Sequence, residues 1–252
     1  MFWYALGAYE VFPQSIDPCM PSLYLLVNFC SVIVPFLFSF HPKLRFDKEF
    51  RYFFPANALV AIIFIIWDVI FTDDGVWGFN PDYLLGIYFF HLPLEEILFF
   101  ICIPFACLFT YHCLNIFFKI KWSEKLERLV VIGLSTILLA IGILFLPRAY
   151  TSVTFISLAL VLLALKFLLR VNWLPKIFTI YLVLLLPFFI VNGILTGTGQ
   201  ESPIVWYNNQ ENLGIRMLTI PVEDTFYGFE LVVLNLFFYE RLKGRKNASK
   251  DA

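Results

Sequence analysis

Residues 86–96 read Gly-Ile-Tyr-Phe-Phe-His-Leu-Pro-Leu-Glu-Glu, and residues 214–224 read Gly-Ile-Arg-Met-Leu-Thr-Ile-Pro-Val-Glu-Asp. Gly, Ile, Pro, Glu and a second acid recur at the same offsets, with aliphatic residues on both sides of each proline. Upstream, Trp67-Asp68-Val69-Ile70-Phe71-Thr72 answers Val191-Asn192-Gly193-Ile194-Leu195-Thr196, and Trp77 answers Trp206. The chain is an internal duplication, and a repeat constrains the fold more than any single segment does.

Composition says what surrounds that repeat. The 252 residues are 60% apolar, 19% aromatic and 15% charged, with a mean hydropathy of +0.81. A soluble domain runs at about 45–50% apolar and about 25% charged. One core of this size cannot hide so much apolar surface from water, so an ordinary soluble globule and a disordered chain are both excluded. A net charge of −1 leaves no basic footprint for a nucleic acid. The five cysteines (Cys19, Cys30, Cys102, Cys107, Cys113) form no CxxC pair and read as small packing residues. The first nineteen residues contain no Lys or Arg and make a poor secretory signal. Met20-Pro21-Ser22 stands directly before the first long apolar run, so a start at Met20 is expected and residues 1–19 read as an extension.

Apolar runs recur near 23–40, 56–72, 84–107, 128–147, 150–169, 176–196 and 215–238. Each is about the length of a membrane-crossing helix. Sixteen of the eighteen Lys and Arg fall in alternate connections or the C-terminal tail, while the other side receives only Arg148 and Arg216. The positive-inside rule then places the N-terminus outside and the C-terminus in the cytoplasm. The expected fold is all-α and polytopic, with about seven transmembrane helices. Residues 20–120 form the first repeat, 121–148 a linking helix, 149–242 the second repeat and 243–252 a basic tail. The linking helix restores parity, so the two three-helix repeats run parallel and meet about a pseudo-twofold axis.

Four carboxylates lie inside apolar sequence: Glu95, Glu96, Glu223 and Asp224. An acid at mid-membrane costs about 2.5–3.5 kcal/mol on insertion scales, so it needs a function. One reading is helix-terminus chemistry: Pro93 and Pro221 suit a first turn, and acids just after them suit the positive end of the helix. Two copies in register point further, to a shared acid–base site. Successive residues project about 100° apart on a helix, so only one acid of each pair can face such a site. The other holds it in place or pairs with a polar neighbour such as Asp68 or Asn192. Glu95 and Glu223 are taken as the essential members, with Glu96 and Asp224 the milder. Buried acids of this kind keep and deliver protons. The aromatic supply, with Trp67, Trp77, Phe90, Trp206 and Tyr227 as the candidates for substrate contact, would stabilise a forming cation. Gly197-Thr198-Gly199 lacks the third glycine of a dinucleotide fingerprint, Ser202 standing in its place. Neither His41, His91 and His112 nor the aspartates have metal-site spacing. A small transporter using the same acids is the alternative class.

The motifs also resemble a known family. Phe-Ser-Phe-His-Pro-Lys-Leu (38–44), Trp67-Asp68, Gly-Val-Trp-Gly-Phe-Asn-Pro-Asp-Tyr (75–83), Leu-Pro-Leu-Glu-Glu (92–96) and Ile-Pro-Val-Glu-Asp (220–224) are similar to the small integral-membrane lycopene cyclases. The resemblance spans about residue 20 to residue 242 and looks like the two bacterial subunits fused into one chain. It implies cyclisation of linear carotene ends without net redox change, and it places the family's carboxylates on Glu95, Glu96, Glu223 and Asp224. It also implies no cofactor. The expected partners are an apolar carotene, the lipid bilayer and other carotenoid-pathway enzymes, with no nucleic acid.

Overall fold

The computed structural model describes residues 20–248, and the fold is nearly all-α; the extension at 1–19 lies outside them. Seven long helices follow in order: α1 Leu23–Phe38, α2 Phe50–Asp73, α3 Leu94–Phe117, α4 Glu124–Leu144, α5 Ala149–Leu163, α6 Leu174–Leu195 and α7 Val222–Ala248. A wide π turn over Ala164–Leu168 prolongs α5. Helices α2 to α6 are long and apolar enough to cross a membrane. Helix α1 is shorter, at 16 residues, and α7 carries Glu223, Asp224 and Glu230 in its apolar stretch. Positions 243–248, expected as part of a basic tail, continue α7. Large aliphatic side chains such as Leu144, Leu182 and Leu186 are more than two-thirds exposed, as lipid-facing residues are.

Two apolar runs resolve differently from the expectation. The run at 84–107 does not start as helix: β2 (Tyr88–Phe89) and β3 (Leu92–Pro93) make a hairpin first, and α3 begins only at Leu94. The second repeat does the same with β5 (Arg216–Met217) and β6 (Ile220–Pro221) before α7. The prolines explain the delay. Proline lacks an N–H and disfavours helix in the residue before it, so a helix starts after it more readily than it runs through it. The hairpin tips take the left-handed conformation at Phe90, His91 and Leu218. The four acids consequently stand in the first turns of α3 and α7 instead of deep within a span. The helix-terminus reading is thus correct for their position, although it does not exhaust their role.

A second strand pair marks the axis between the repeats. Strand β1 (Trp77–Phe79) runs antiparallel to β4 (Val205–Tyr207), with Trp77 opposite Tyr207, Gly78 opposite Trp206 and Phe79 opposite Val205. Gly78 and Trp206 are separated by the same sequence interval as Glu96 and Asp224. An antiparallel pair in which a residue meets its own repeat mate has a twofold axis through that point. The repeat mate of Trp206 is therefore Gly78, not Trp77 as the sequence comparison had it. A Cβ on Gly78 would lie 2.3 Å from the Trp206 ring, so glycine is required there by close approach.

Packing follows the duplication only in part. Helix α1 packs on α3 and α5 on α7, one pair per repeat, while α4 leans on α5. Helix α2 lies closely along α7, sealed by Val60, Phe64 and Leu231. Asn57 Nδ2 donates there to Asn235 Oδ1 (3.0 Å) and to the Phe100 carbonyl (2.9 Å). Between helices in lipid, packing and such polar links replace the hydrophobic effect as the source of association. The basic connections gather at one end of the bundle. Tyr239 donates to Glu49 (2.6 Å), Lys243 pairs with Glu49 (2.9 Å), and His112 Nε2 donates to the Leu44 carbonyl (2.7 Å).

Candidate active site

At the opposite end, α1, α2, α3, α5, α6, α7 and the β1–β4 ribbon enclose a cavity of about 250 Å³. Asp68, Glu96, Asp224 and Asn192 line it, one from each of α2, α3, α7 and α6. Both repeats supply an acid, and Glu96 lies within electrostatic reach of Asp68 and of Asp224. The two Pro-x-Glu-acid motifs thus converge on one place.

Only the second acid of each motif faces it. Glu95 and Glu223 are fully buried and turned away, and they do the same job in both repeats. Glu95 Oε1 accepts the Leu85 backbone N–H (2.7 Å), and Glu223 Oε1 accepts that of Leu213 (2.8 Å). Each carboxylate closes the hairpin back onto the helix that follows it. Thr151 also donates to Glu223 (2.6 Å). The division within each pair follows from the 100° step: Glu96 and Asp224 face the cavity, while Glu95 and Glu223, taken in the sequence reading as the essential members, bind the hairpins.

The cavity acids are held by phenols. Tyr24 donates to Glu96 Oε2, and Tyr150 donates to Asp224 Oδ1 (2.6 Å). Tyr24 stands near the start of α1 and Tyr150 near the start of α5, so these are repeat mates. Asp224 Oδ2 accepts a second phenol, Tyr207 (3.0 Å). Burial first, and then the Asp224 carboxylate beside it, push the Tyr207 phenol well above its ordinary pKa, so it remains a donor. Asp68 Oδ1 accepts the Trp77 indole N–H at 2.5 Å. These tyrosines were missed in the sequence, yet a signal exists: Pro21-Ser22-Leu23-Tyr24 answers Pro147-Arg148-Ala149-Tyr150.

The aromatic candidates divide. Trp77 and Tyr227 line the cavity. Trp67 sits behind Tyr227, ring against ring at 5.1 Å. Phe90 is 82% exposed at a hairpin tip, and Trp206 covers Gly78 without reaching the cavity, so neither meets the acids. Phe90 is placed by the hairpin, which a reading of 84–107 as an unbroken helix could not contain, and Trp206 by the strand pair. Pro93 and Pro221 are buried at the helix starts, where they set the turn that aims the acids. His91 lies outside, hydrogen-bonded to Asp73 at 2.8 Å.

Beyond the acids the lining is apolar and runs down α3 through Ile103, Ala106 and Cys107 to Thr110. From Glu96 to Thr110 that is a rise of about 21 Å at 1.5 Å per residue. Its half-exposed members, including Ser31, Pro35, Ile103, Phe188 and Val191, come from α1, α3 and α6, so the slot opens sideways there. Among the described residues no cluster of His, Cys, Asp or Glu has the geometry of a metal site.

The family model described as lycopene cyclase matches residues 21–114 and 147–242, which is both repeats and most of the chain. The chain belongs to the lycopene cyclase family. It is a cyclase of carotene ends built from two fused repeats, and its long apolar helices make it a membrane protein. Searches of curated proteins and of solved structures found no match. The lycopene cyclase motifs around Pro93 and Pro221 are therefore the segments that deliver one acid each to the common cavity.

Proposed function

We propose that this lycopene cyclase closes the linear end of lycopene, or of a related acyclic carotene, into a β-ionone-type ring by carboxylate acid–base catalysis. A proton adds to the terminal double bond, the neighbouring alkene attacks the tertiary cation to form the ring bond, and a proton leaves the adjacent carbon. One proton enters and one departs, so no redox partner is needed and the enzyme is an isomerase of the intramolecular-lyase type. The observation that carries this reading is the convergence of Glu96 and Asp224, one from each repeat, on a single, mostly apolar cavity.

The hydrogen bonds support a division of roles. Asp224 accepts a phenol hydrogen on each oxygen, which is the pattern of an ionised carboxylate. Glu96 accepts one on Oε2, which leaves Oε1 to carry the proton that is delivered. Glu96 is accordingly the acid and Asp224 the base. Trp77, Tyr150 and Tyr227, packed edge to face on one another in the cavity lining, are the rings that serve to stabilise the cation. Tyr207 interacts with both Asp224 and Glu96, and Tyr24 with Tyr207, so these phenols suit the return of the proton between turnovers.

The slot's lateral opening suits a substrate that arrives from the membrane core. The cation-rich end is read as cytoplasmic and the acid end as nearer the outer face. Expression in lycopene-accumulating cells tests the reading, with conversion of red lycopene to yellow-orange cyclic product expected. Unchanged lycopene beside well-folded enzyme would overturn it.

A further inference from the structure

At the basic end of the bundle, far along α3 from the acids, lies a second hollow of about 500 Å³. It is bounded by the α3–α4 connection, the π turn after α5 and the start of α6. Lys119, Lys121, Lys166 and Lys176 line it, against the single carboxylate of Glu127. Glu127 is buried and pairs with Lys166 at 3.0 Å. Lys166 sits within the π turn, a helix irregularity often associated with functional sites. The other three lysines make no ion pair among the described residues, although Lys176 also feels Glu240. An open hollow with this excess of cations attracts an anion.

Its surroundings say which kind. Phe118 contributes to the lining, and Phe117, Phe118 and Leu168 beside it are more than half exposed. Trp122 lines the hollow as well and stacks on Phe178 with ring centroids 5.9 Å apart, as aromatic residues do at a membrane interface. A cationic pocket bordered by apolar surface, at the basic end of a membrane bundle, matches an amphiphile whose head is an anion. We propose that this hollow binds an anionic phospholipid, the headgroup phosphate held by Lys119, Lys121 and Lys176 and the acyl chains lying along Phe117, Phe118 and Leu168. Lys166 stays committed to Glu127 and shapes the floor. The lipid would fasten the α3–α4 connection to the start of α6 and so brace the joint between the repeats.

The test uses the full chain purified in neutral detergent. Retained lipid is read by native mass spectrometry and stability by thermal melting, with phosphatidylglycerol, phosphatidylcholine or inorganic phosphate added. Phosphatidylglycerol should bind and raise Tm, while phosphatidylcholine and inorganic phosphate should not. At the interaction strength typical of a lysine near an anionic surface, the triple variant Lys119→Gln, Lys121→Gln, Lys176→Gln should weaken phosphatidylglycerol binding about a hundredfold. Should the triple variant fold poorly, each single variant should show about a fivefold loss. The salt sensitivity of binding to the unaltered protein supplies a readout free of variants. Equal effects of the two lipids, an equal effect of inorganic phosphate, or undiminished binding by folded lysine variants would overturn the proposal.

Discussion

Gly78 and Trp206 face each other across the β1–β4 ribbon, and each is the other's counterpart in the duplicated sequence. The interval between them also separates Glu96 from Asp224 and Phe90 from Leu218. One axis therefore relates the strand pair, the two hairpin tips and the two cavity acids. Although the repeats are fused, the site belongs to neither alone.

The acids should respond unequally within each motif. Glu96→Gln or Asp224→Asn should each leave lycopene unconverted in cells, a loss of about 10²–10⁴-fold in rate. Glu95→Gln and Glu223→Gln should instead lower Tm and protein level, because they loosen the bonds to Leu85 and Leu213, while folded protein retains activity. Pigment extraction beside immunoblotting separates the two. Full activity in Glu96→Gln with normal protein levels would remove Glu96 from the chemistry.

At the ribbon, Gly78→Ala should force the Trp206 ring aside. Overpacking of this kind typically costs about 1–3 kcal/mol. The double variant Gly78→Ala, Trp206→Ala should recover part of that loss, since the added methyl then finds space. Thermal melting of the purified proteins gives the coupling, and strictly additive losses would show that the two positions do not act on each other.

Removing a phenol should be milder than removing an acid. Tyr150→Phe leaves Asp224 with Tyr207 as its remaining donor, and Tyr207→Phe leaves it with Tyr150. Each should lower turnover by about ten- to a hundredfold, at about 1.5–3 kcal/mol for a hydrogen bond to a charged group, and the double variant further. Turnover in liposomes is the measurement.

The same liposome assay bears on cofactors. Conversion should proceed without added NAD(P)H or flavin, because the proposed chemistry moves only protons. A strict requirement for reduced flavin would show that the scheme lacks a component.

For topology, a reporter placed after residue 250 should read cytoplasmic and one in the 75–82 connection external. Two reporters on the same side would break the assignment made from the sixteen clustered cations.

The duplication, the helical class and the pairing of acids were legible in the sequence because they rest on spacing. Which acid of each pair faces the cavity was not. The choice depends on where the helix starts, and Leu94 and Val222 start ten and seven residues later than the apolar runs at 84 and 215 suggest. Hydropathy cannot separate the hairpins from the helices, since Tyr88, Phe89 and Phe90 are as apolar as a span. The same ambiguity bears on Phe90, which was offered for substrate contact and stands at a hairpin tip. Tyr24 and Tyr150 were hidden among many aromatic residues and emerge only when the comparison is extended back to Pro21 and Pro147.

The tight α2–α7 seam and the open side between α1, α3 and α6 break the symmetry that the acids keep. On the function proposed above, a long hydrocarbon enters from that open side with one end foremost. On that reading, processing of a second end would require the molecule to back out, reverse within the bilayer and compete for readmission against untouched chains. The proportion of singly to doubly closed product would then depend on crowding in the membrane. An excess of fresh substrate favours half-finished molecules, and scarcity favours completion.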